Sequence, residues 1–185
     1  MTEISLYTIG HSNRSLPEFA ALLQDHAVSH LVDIRRHPGS RTFPHFNREN
    51  LRANLARRNI DYTWMDELGG RRRTGRGKDS PHVVLYSEGF RNYADHMGTE
   101  AFREAVRRLK TIARQAKTAV MCAECFFWKC HRRLLADHLA AQGWEVIHIL
   151  GPEQRRQHSL SKMARVTAGG EVIYDVESPD ENADD

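Results

Sequence analysis

The sequence predicts an α/β fold: three layers, with a mostly parallel five-stranded sheet, helices on both faces and a small C-terminal hairpin. Two observations predict it. Five short segments rich in β-branched and apolar residues recur along the 185-residue chain, and amphipathic segments with helical spacing separate them. No internal repeat or second domain interrupts this alternation. The expected organisation is one α/β domain over residues 1–176 and an acidic, disordered tail over 177–185.

Ile4 to Ile9 alternates and reads as the first strand, broken at Gly10-His11-Ser12-Asn13-Arg14. Ser15-Leu16-Pro17-Glu18 then has capping-box spacing with proline in the first turn. Phe19, Leu22, Leu23 and His26 continue it as a helix. His30 to Ile34 is the second strand, and the loop after it holds Pro38, Gly39 and Pro44. Asn47 is positioned to cap a helix carrying Leu51 and Leu55. Ile60 to Trp64 is the third strand. Gly69 to Ser80 is glycine-rich, with five bases and no acid before Asp79, and reads as a mobile basic loop. Phe90 to Met97 is a short helix, and Thr99 opens a longer one through Phe102, Val106, Leu109 and Ile112. Thr118 to Ala123 is the fourth strand. His131 to Gln142 is a helix ended by Gly143, and Trp144 to Leu150 is the fifth strand, stopped by Gly151-Pro152. Ala168-Gly169-Gly170 joins two short segments as a hairpin.

Composition excludes several classes. Apolar residues are 40% of the chain and charged residues 28%, which suits a globular domain and not a disordered one. No apolar run reaches the roughly 20 residues of a membrane helix, and the N-terminus lacks the pattern of a signal peptide. The expected setting is the cytoplasm, with no membrane partner. Three cysteines is an odd count and all lie within nine residues, so they are reduced thiols and not a disulfide framework. The net charge of +3 hides an asymmetry. The last nine residues hold five acids, and without them 27 bases face 19 acids. A basic body points to a phosphate-bearing small molecule or nucleic acid as partner.

In parallel sheets, ligands bind beyond the carboxyl ends of the strands. The residues there are largely polar, ionisable or glycine: Gly10-His11-Ser12, Asp33 with Arg35 and Arg36, Asp66 with Glu67, Cys122 with Glu124, and Gly151. Cys130 falls near a helix start, where unpaired N–H groups and Arg132 favour a thiolate. It is a candidate nucleophile; the competing role is packing under the helix. Glu124 is a candidate general acid or base, unless an arginine from another loop pairs with it. Arg35 and Arg41 bracket a proline-glycine turn, a spacing suited to bidentate phosphate recognition, with Asp33 supporting. Ser12 and the helix start after it add attraction for an anion. Arg71, Arg72, Arg73, Arg76 and Lys78 are candidate contacts to a nucleic-acid backbone.

No cofactor is expected. The alternative is zinc or iron on Cys122, Cys125, Cys130 and His131, which the strand position of Cys122 and the adjacency of Cys130 and His131 disfavour.

Thr8-Ile9-Gly10-His11-Ser12, Leu31-Val32-Asp33-Ile34-Arg35 with Pro38 and Ser40-Arg41, Leu68-Gly69-Gly70, Cys122-Ala123-Glu124 and Cys130-His131-Arg132 resemble, in order, the bacterial family called domain of unknown function 488. The likeness runs from about residue 6 to 151. It implies a compact α/β domain whose motifs meet at one site, and it supplies no reaction. His11, Ser12, Asp33, Arg35, Arg41, Cys122, Glu124, Cys130, His131 and Arg132 are the positions it carries over. The expected function is an anion-binding cleft with His11, Glu124 and Cys130 as the chemical groups, in a hydrolase or group transferase. The alternatives are a nucleic-acid module using the 69–78 loop and a thiol or metal sensor.

Overall fold

In the computed structural model, which describes residues 5–177, each of the five apolar segments is a strand. They are β1 (Ser5–Gly10), β2 (His30–Asp33), β3 (Asp61–Trp64), β4 (Thr118–Cys122) and β5 (Glu145–Gly151). Five helices run between them: α1 (Leu16–Asp25), α2 (Arg48–Ala56), α3 (Glu88–Met97), α4 (Glu100–Gln115) and α5 (Arg132–Ala141). All pairings among these five strands are parallel.

The sheet has six strands, one more than the sequence predicts. β6 (Gln154–Gln157) pairs antiparallel with β5, giving the order β3-β2-β4-β1-β5-β6. Gly151-Pro152 does stop β5, but as the start of a turn. All four β6 residues, Gln-Arg-Arg-Gln, are exposed. With no buried face there is no alternation to read, and its arginines guard the sheet edge against further pairing. β7 (Ala164–Val166) and β8 (Val172–Tyr174) form the C-terminal hairpin, with Gly170 at φ +80° in its turn. The 177–185 tail lies, from residue 178 onward, outside the described residues.

Alternation along the strands divides the core. Tyr7, Ile9, Leu31, Ala119 and Met121 pack against Phe19, Leu22 and Leu23 of α1 and Leu51 and Leu55 of α2. Leu6, Val32, Val120 and Val146 pack on the other face against α3, α4 and α5, through Tyr93, Phe102, Leu109 and Leu135. Each large apolar side chain so buried contributes about 1.5–3 kcal/mol. Thr8 and Cys122 share the second face, because strand side chains alternate.

The caps follow the sequence with one exception. Ser15 and Glu18 form the capping box of α1, and the Thr99 hydroxyl accepts from the Phe102 N–H at the start of α4. Asn47 precedes α2, but its side chain does not cap it. Its Oδ1 accepts from the Ser40 N–H at 2.5 Å, tying down the proline-rich loop instead.

Topology positions the cleft. β1 leads by α1 to β2 on one side of the sheet, whereas β4 leads by α5 to β5 on the other. β1 and β4 are neighbours whose following helices lie on opposite faces, and such a reversal opens a crevice at their carboxyl ends.

Candidate functional site

Parallel pairing continues past the ends of β1 and β4. The His11 N–H donates to the Cys122 carbonyl and the Ser12 N–H to the Ala123 carbonyl, both at 3.0 Å. This requires a glycine at position 10, where a Cβ would lie 1.8 Å from the Glu124 carbonyl oxygen. The strand ends therefore bring His11 and Cys122 side by side. A cleft of about 780 Å³ opens above them. His11, Ser12, Arg35, Arg71, Cys122, Glu124, Cys130 and His131 all line it.

Three buried groups organise the floor. The first is the sulfur pair. Cys122 and Cys130 are free thiols with Sγ atoms 2.9 Å apart. Cys130 sits just before α5, and its Sγ accepts from the Arg132 backbone N–H at 3.5 Å and lies 3.4 Å from His131 Nδ1. The N-cap of α5 is His131, so Cys130 lies one residue outside the cap position. Burial pushes the Cys130 thiol up, but the hydrogen bond from Cys122 and the charges of His131 and Arg132 outweigh it and hold Cys130 well below the ordinary thiol range. Cys122 moves the opposite way: burial and the neighbouring Cys130 push it well above that range. The two sulfurs share a hydrogen bond, and Cys130 is the one held toward the thiolate.

The second group is Arg132, whose side chain is 1% exposed. Its Nη2 donates to the carbonyls of Glu124 (2.5 Å) and Cys125 (3.1 Å), and its Nη1 to Thr8 Oγ1 (3.4 Å). Its Nε has no hydrogen-bond partner among the described residues. No described carboxylate pairs with it, and the neighbouring sulfurs of Cys122 and Cys130 are the groups that favour its charge. A buried unpaired guanidinium is costly, so the arginine and the thiolate stabilise each other. A hydrogen-bonded chain runs behind Arg132. Thr8 Oγ1 is 2.7 Å from His148 Nδ1, His148 Nε2 is 3.0 Å from His158 Nδ1, and His158 Nε2 is 2.9 Å from Asp137 Oδ1. The Tyr174 hydroxyl also donates to Asp137.

The third group is Arg35. Its Nε and Nη2 hold the two oxygens of the fully buried Asp33 at 2.9 and 2.6 Å. Nη2 also donates to the Phe46 carbonyl, and the Tyr62 hydroxyl donates to Asp33. This leaves Nη1 toward the cleft, where it donates to His11 Nε2 at 3.4 Å. The His11 Nδ1–H donates to the Ser12 carbonyl, and the ring stacks on Phe46. Both ring nitrogens are engaged. Burial lowers the His11 pKa to about 4, so the ring is neutral at pH 7. That placement suits positioning better than proton transfer.

The structure separates the remaining predicted residues. Glu124 is exposed, accepts from the Cys125 N–H, and forms no ion pair among the described residues. Among the described residues it is the only carboxylate lining the cleft, against four cationic side chains, Arg35, Arg36, Arg71 and Lys129. Arg41 is exposed and does not line the cleft. The bracketing of the Pro38-Gly39 turn suggests an arginine clamp, but Arg36 takes the place next to Arg35.

The basic loop is pinned. Arg72 turns inward and donates to the carbonyls of Gly69, Asp66 and Glu67, while Asp95 accepts from the Arg76 N–H. Arg73 and Lys78 are exposed, and Arg76 lines a separate cavity of about 430 Å³. Gly70 lets His131 approach, since a Cβ there would meet its Nδ1 at 2.7 Å. Among the described residues no group of three or more His, Cys, Asp or Glu side chains could hold a metal ion. No described helix is long and apolar enough to cross a membrane.

The buried histidines make stability pH-dependent. Burial lowers His11 and His138 to about 4 and His148 to about 2, from an ordinary value of 6.5. The unfolded chain therefore binds more protons below pH 6.5. Stability is full above about pH 6.5 and falls as the pH drops toward 4. Urea unfolding at pH 5 and pH 7 is expected to show a lower midpoint at pH 5.

A doubly wound α/β sheet carrying a thiol pair and two buried arginines at its switch point defines the class. The family model for Domain of unknown function DUF488 matches residues 15–139, about two thirds of the chain, and the chain belongs to that family. The matched span includes Asp33, Arg35 and the segment from Cys122 to Arg132, and it begins after Ser12. Comparison with curated proteins and with solved structures gives no match.

Proposed function

We propose that this protein binds a phosphate-bearing ligand, a nucleotide or nucleic-acid end, in the cleft and acts on it as a hydrolase or group transferase through Cys130. The observation that supports this most is the Cys130–Arg132 pair. Arg132, buried and without a carboxylate partner among the described residues, helps the Cys122 hydrogen bond and His131 hold the Cys130 thiol low on the floor of a cleft with cationic walls. Arg35, Arg36, Arg71 and Lys129 attract the phosphate, with Ser12 at the same rim. His11 holds Arg35 Nη1 in place.

The step consistent with these groups is attack of the Cys130 thiolate on phosphorus. An S–P bond forms, the P–O bond to the leaving group breaks, and Glu124 donates the proton that the leaving oxygen takes. Water, deprotonated by Glu124, then cleaves the S–P bond in hydrolysis. An acceptor hydroxyl does so in transfer. The reducing setting that keeps such a thiolate active is the cytoplasm.

Glu124→Gln tests this assignment. Against p-nitrophenyl phosphate and a panel of nucleotides, it is expected to lower kcat at least about 100-fold, while inorganic phosphate still protects Cys130 from alkylation. Unchanged turnover would remove Glu124 from the mechanism. No turnover by the wild type, together with no phosphate protection, would overturn the proposal.

One observation favours the nucleic-acid reading of the ligand: Arg71 lines the cleft, so the exposed bases of the 69–78 loop continue its cationic wall. Arg72 is not informative there, because its side chain holds the loop. The discriminating change is Arg73→Ala with Arg76→Ala and Lys78→Ala. It weakens oligonucleotide binding if a nucleic-acid end is the ligand and leaves mononucleotide binding intact.

A further inference from the structure

We propose that Cys122 is a resolving thiol. A hydroperoxide oxidises Cys130, and Cys122 then closes an intramolecular disulfide with it, switching the nucleophile off reversibly. The inference rests on the reading of Cys130 as a reactive thiolate, and extends it to the regulation of the same site.

The geometry carries the proposal. The two sulfurs are already within 2.9 Å, and both residues line the cleft, where a small peroxide enters. The third thiol is differently placed. Cys125 is half-buried and lines the same cleft, but no hydrogen bond joins it to either sulfur among the described residues, whereas Cys122 and Cys130 are in direct contact. Arg132 fixes its backbone through the Cys125 carbonyl.

The chemistry balances in two steps. The Cys130 thiolate attacks one peroxide oxygen; the O–O bond breaks, the second oxygen leaves as water or alcohol after taking a proton, and Cys130 becomes a sulfenic acid. The Cys122 sulfur then attacks the sulfenic sulfur. An S–S bond forms, the S–O bond breaks, and the Cys122 proton leaves with the hydroxyl as water. The peroxide is reduced by two electrons and the two thiols are oxidised by two.

The surroundings make the disulfide easy to reverse. Oxidation removes the negative charge that balances Arg132, which then lies buried without a counter-charge. A fold that stabilises the reduced form in this way gives an oxidising couple. Glutathione is therefore expected to reopen it, as a switch requires and a structural disulfide does not allow.

The test uses the full chain, reduced, then treated with equimolar hydrogen peroxide and analysed by intact mass and peptide mapping. The expected product has lost about 2 Da, retains one of its three free thiols, carries a Cys122–Cys130 crosslink and returns to the reduced mass with glutathione. Cys125→Ser forms the same crosslink. Cys122→Ser and Cys122→Ala instead carry Cys130 sulfenic acid, heavier by about 16 Da, which a second equivalent of peroxide takes to sulfinic acid, heavier by about 32 Da. A wild type that stops at sulfenic or sulfinic acid, or crosslinks through Cys125, would overturn the proposal. Protection by inorganic phosphate is measured separately by alkylation. A phosphate-protected thiolate without a crosslink sinks only the switch, whereas a crosslink without phosphate protection sinks only the anion cleft.

Discussion

Arg132→Met is expected to weaken the low-pH reactivity of Cys130. Removing the guanidinium deprives the thiolate of its buried counter-charge. The Cys122 hydrogen bond and His131 then oppose the desolvation without that charge, and the Cys130 thiol moves up toward the ordinary range. Alkylation of Cys130 at pH 7 is expected to slow at least about tenfold. Stability falls too, but within limits, because the thiolate escapes by protonation. What is lost is the set of bonds to Thr8, Glu124 and Cys125, about 3 kcal/mol in all. Arg132→Lys is expected to restore little, because one ammonium cannot span the Thr8 hydroxyl and both carbonyls. The two readouts are the pH profile of alkylation and the urea midpoint. A variant with weakened stability but wild-type reactivity would show that Arg132 is structural only.

Arg35→Ala is expected to be the more damaging change to the fold. Asp33 is fully buried and shares two hydrogen bonds with that guanidinium. Breaking a buried pair by removing one partner costs about 3–5 kcal/mol. The Tyr62 hydroxyl and the Arg35 backbone N–H still donate to Asp33, so its charge is not left wholly unsatisfied. The cleft loses its deepest cation as well. Asp33→Asn combined with Arg35→Ala separates the two effects. The double variant is expected to regain part of the stability and none of the phosphate protection of Cys130. Recovery of both would place Arg35 outside the binding machinery.

Much of this arrangement is legible in the sequence, for identifiable reasons. β1, β2, β4 and β5 each bury at least one face, so their apolar residues announce them, and β3, whose residues are at most half-buried, is announced by Tyr62, Thr63 and Trp64. β6 buries none, and Gln154-Arg155-Arg156-Gln157 is indistinguishable from a loop. Gly10, Asp33, Arg35, Cys122, Glu124 and Cys130 are legible as one cluster because they follow strand ends, and the parallel order brings those ends together.

Side-chain direction was not legible. Arg41 and Arg36 are equally plausible from spacing, yet only Arg36 lines the cleft. Arg72 looks like its neighbours Arg71 and Arg73, and only the structure shows it turned onto three carbonyls. The chain through His148, His158 and Asp137 has no signature in the sequence. Its members are far apart in sequence, and a buried histidine in a strand carries no periodic signal. Thr8 sharing a strand face with Leu6 is the one available hint that a polar group lies under the core there.

The central claim is that Cys130 is a thiolate in an anion-binding cleft. The most direct test is the pH dependence of Cys130 alkylation by iodoacetamide, followed by peptide mass, with and without inorganic phosphate. The account predicts a reactivity midpoint well below the ordinary thiol range, with phosphate slowing the reaction. A midpoint within or above that range, unmoved by phosphate, would contradict it.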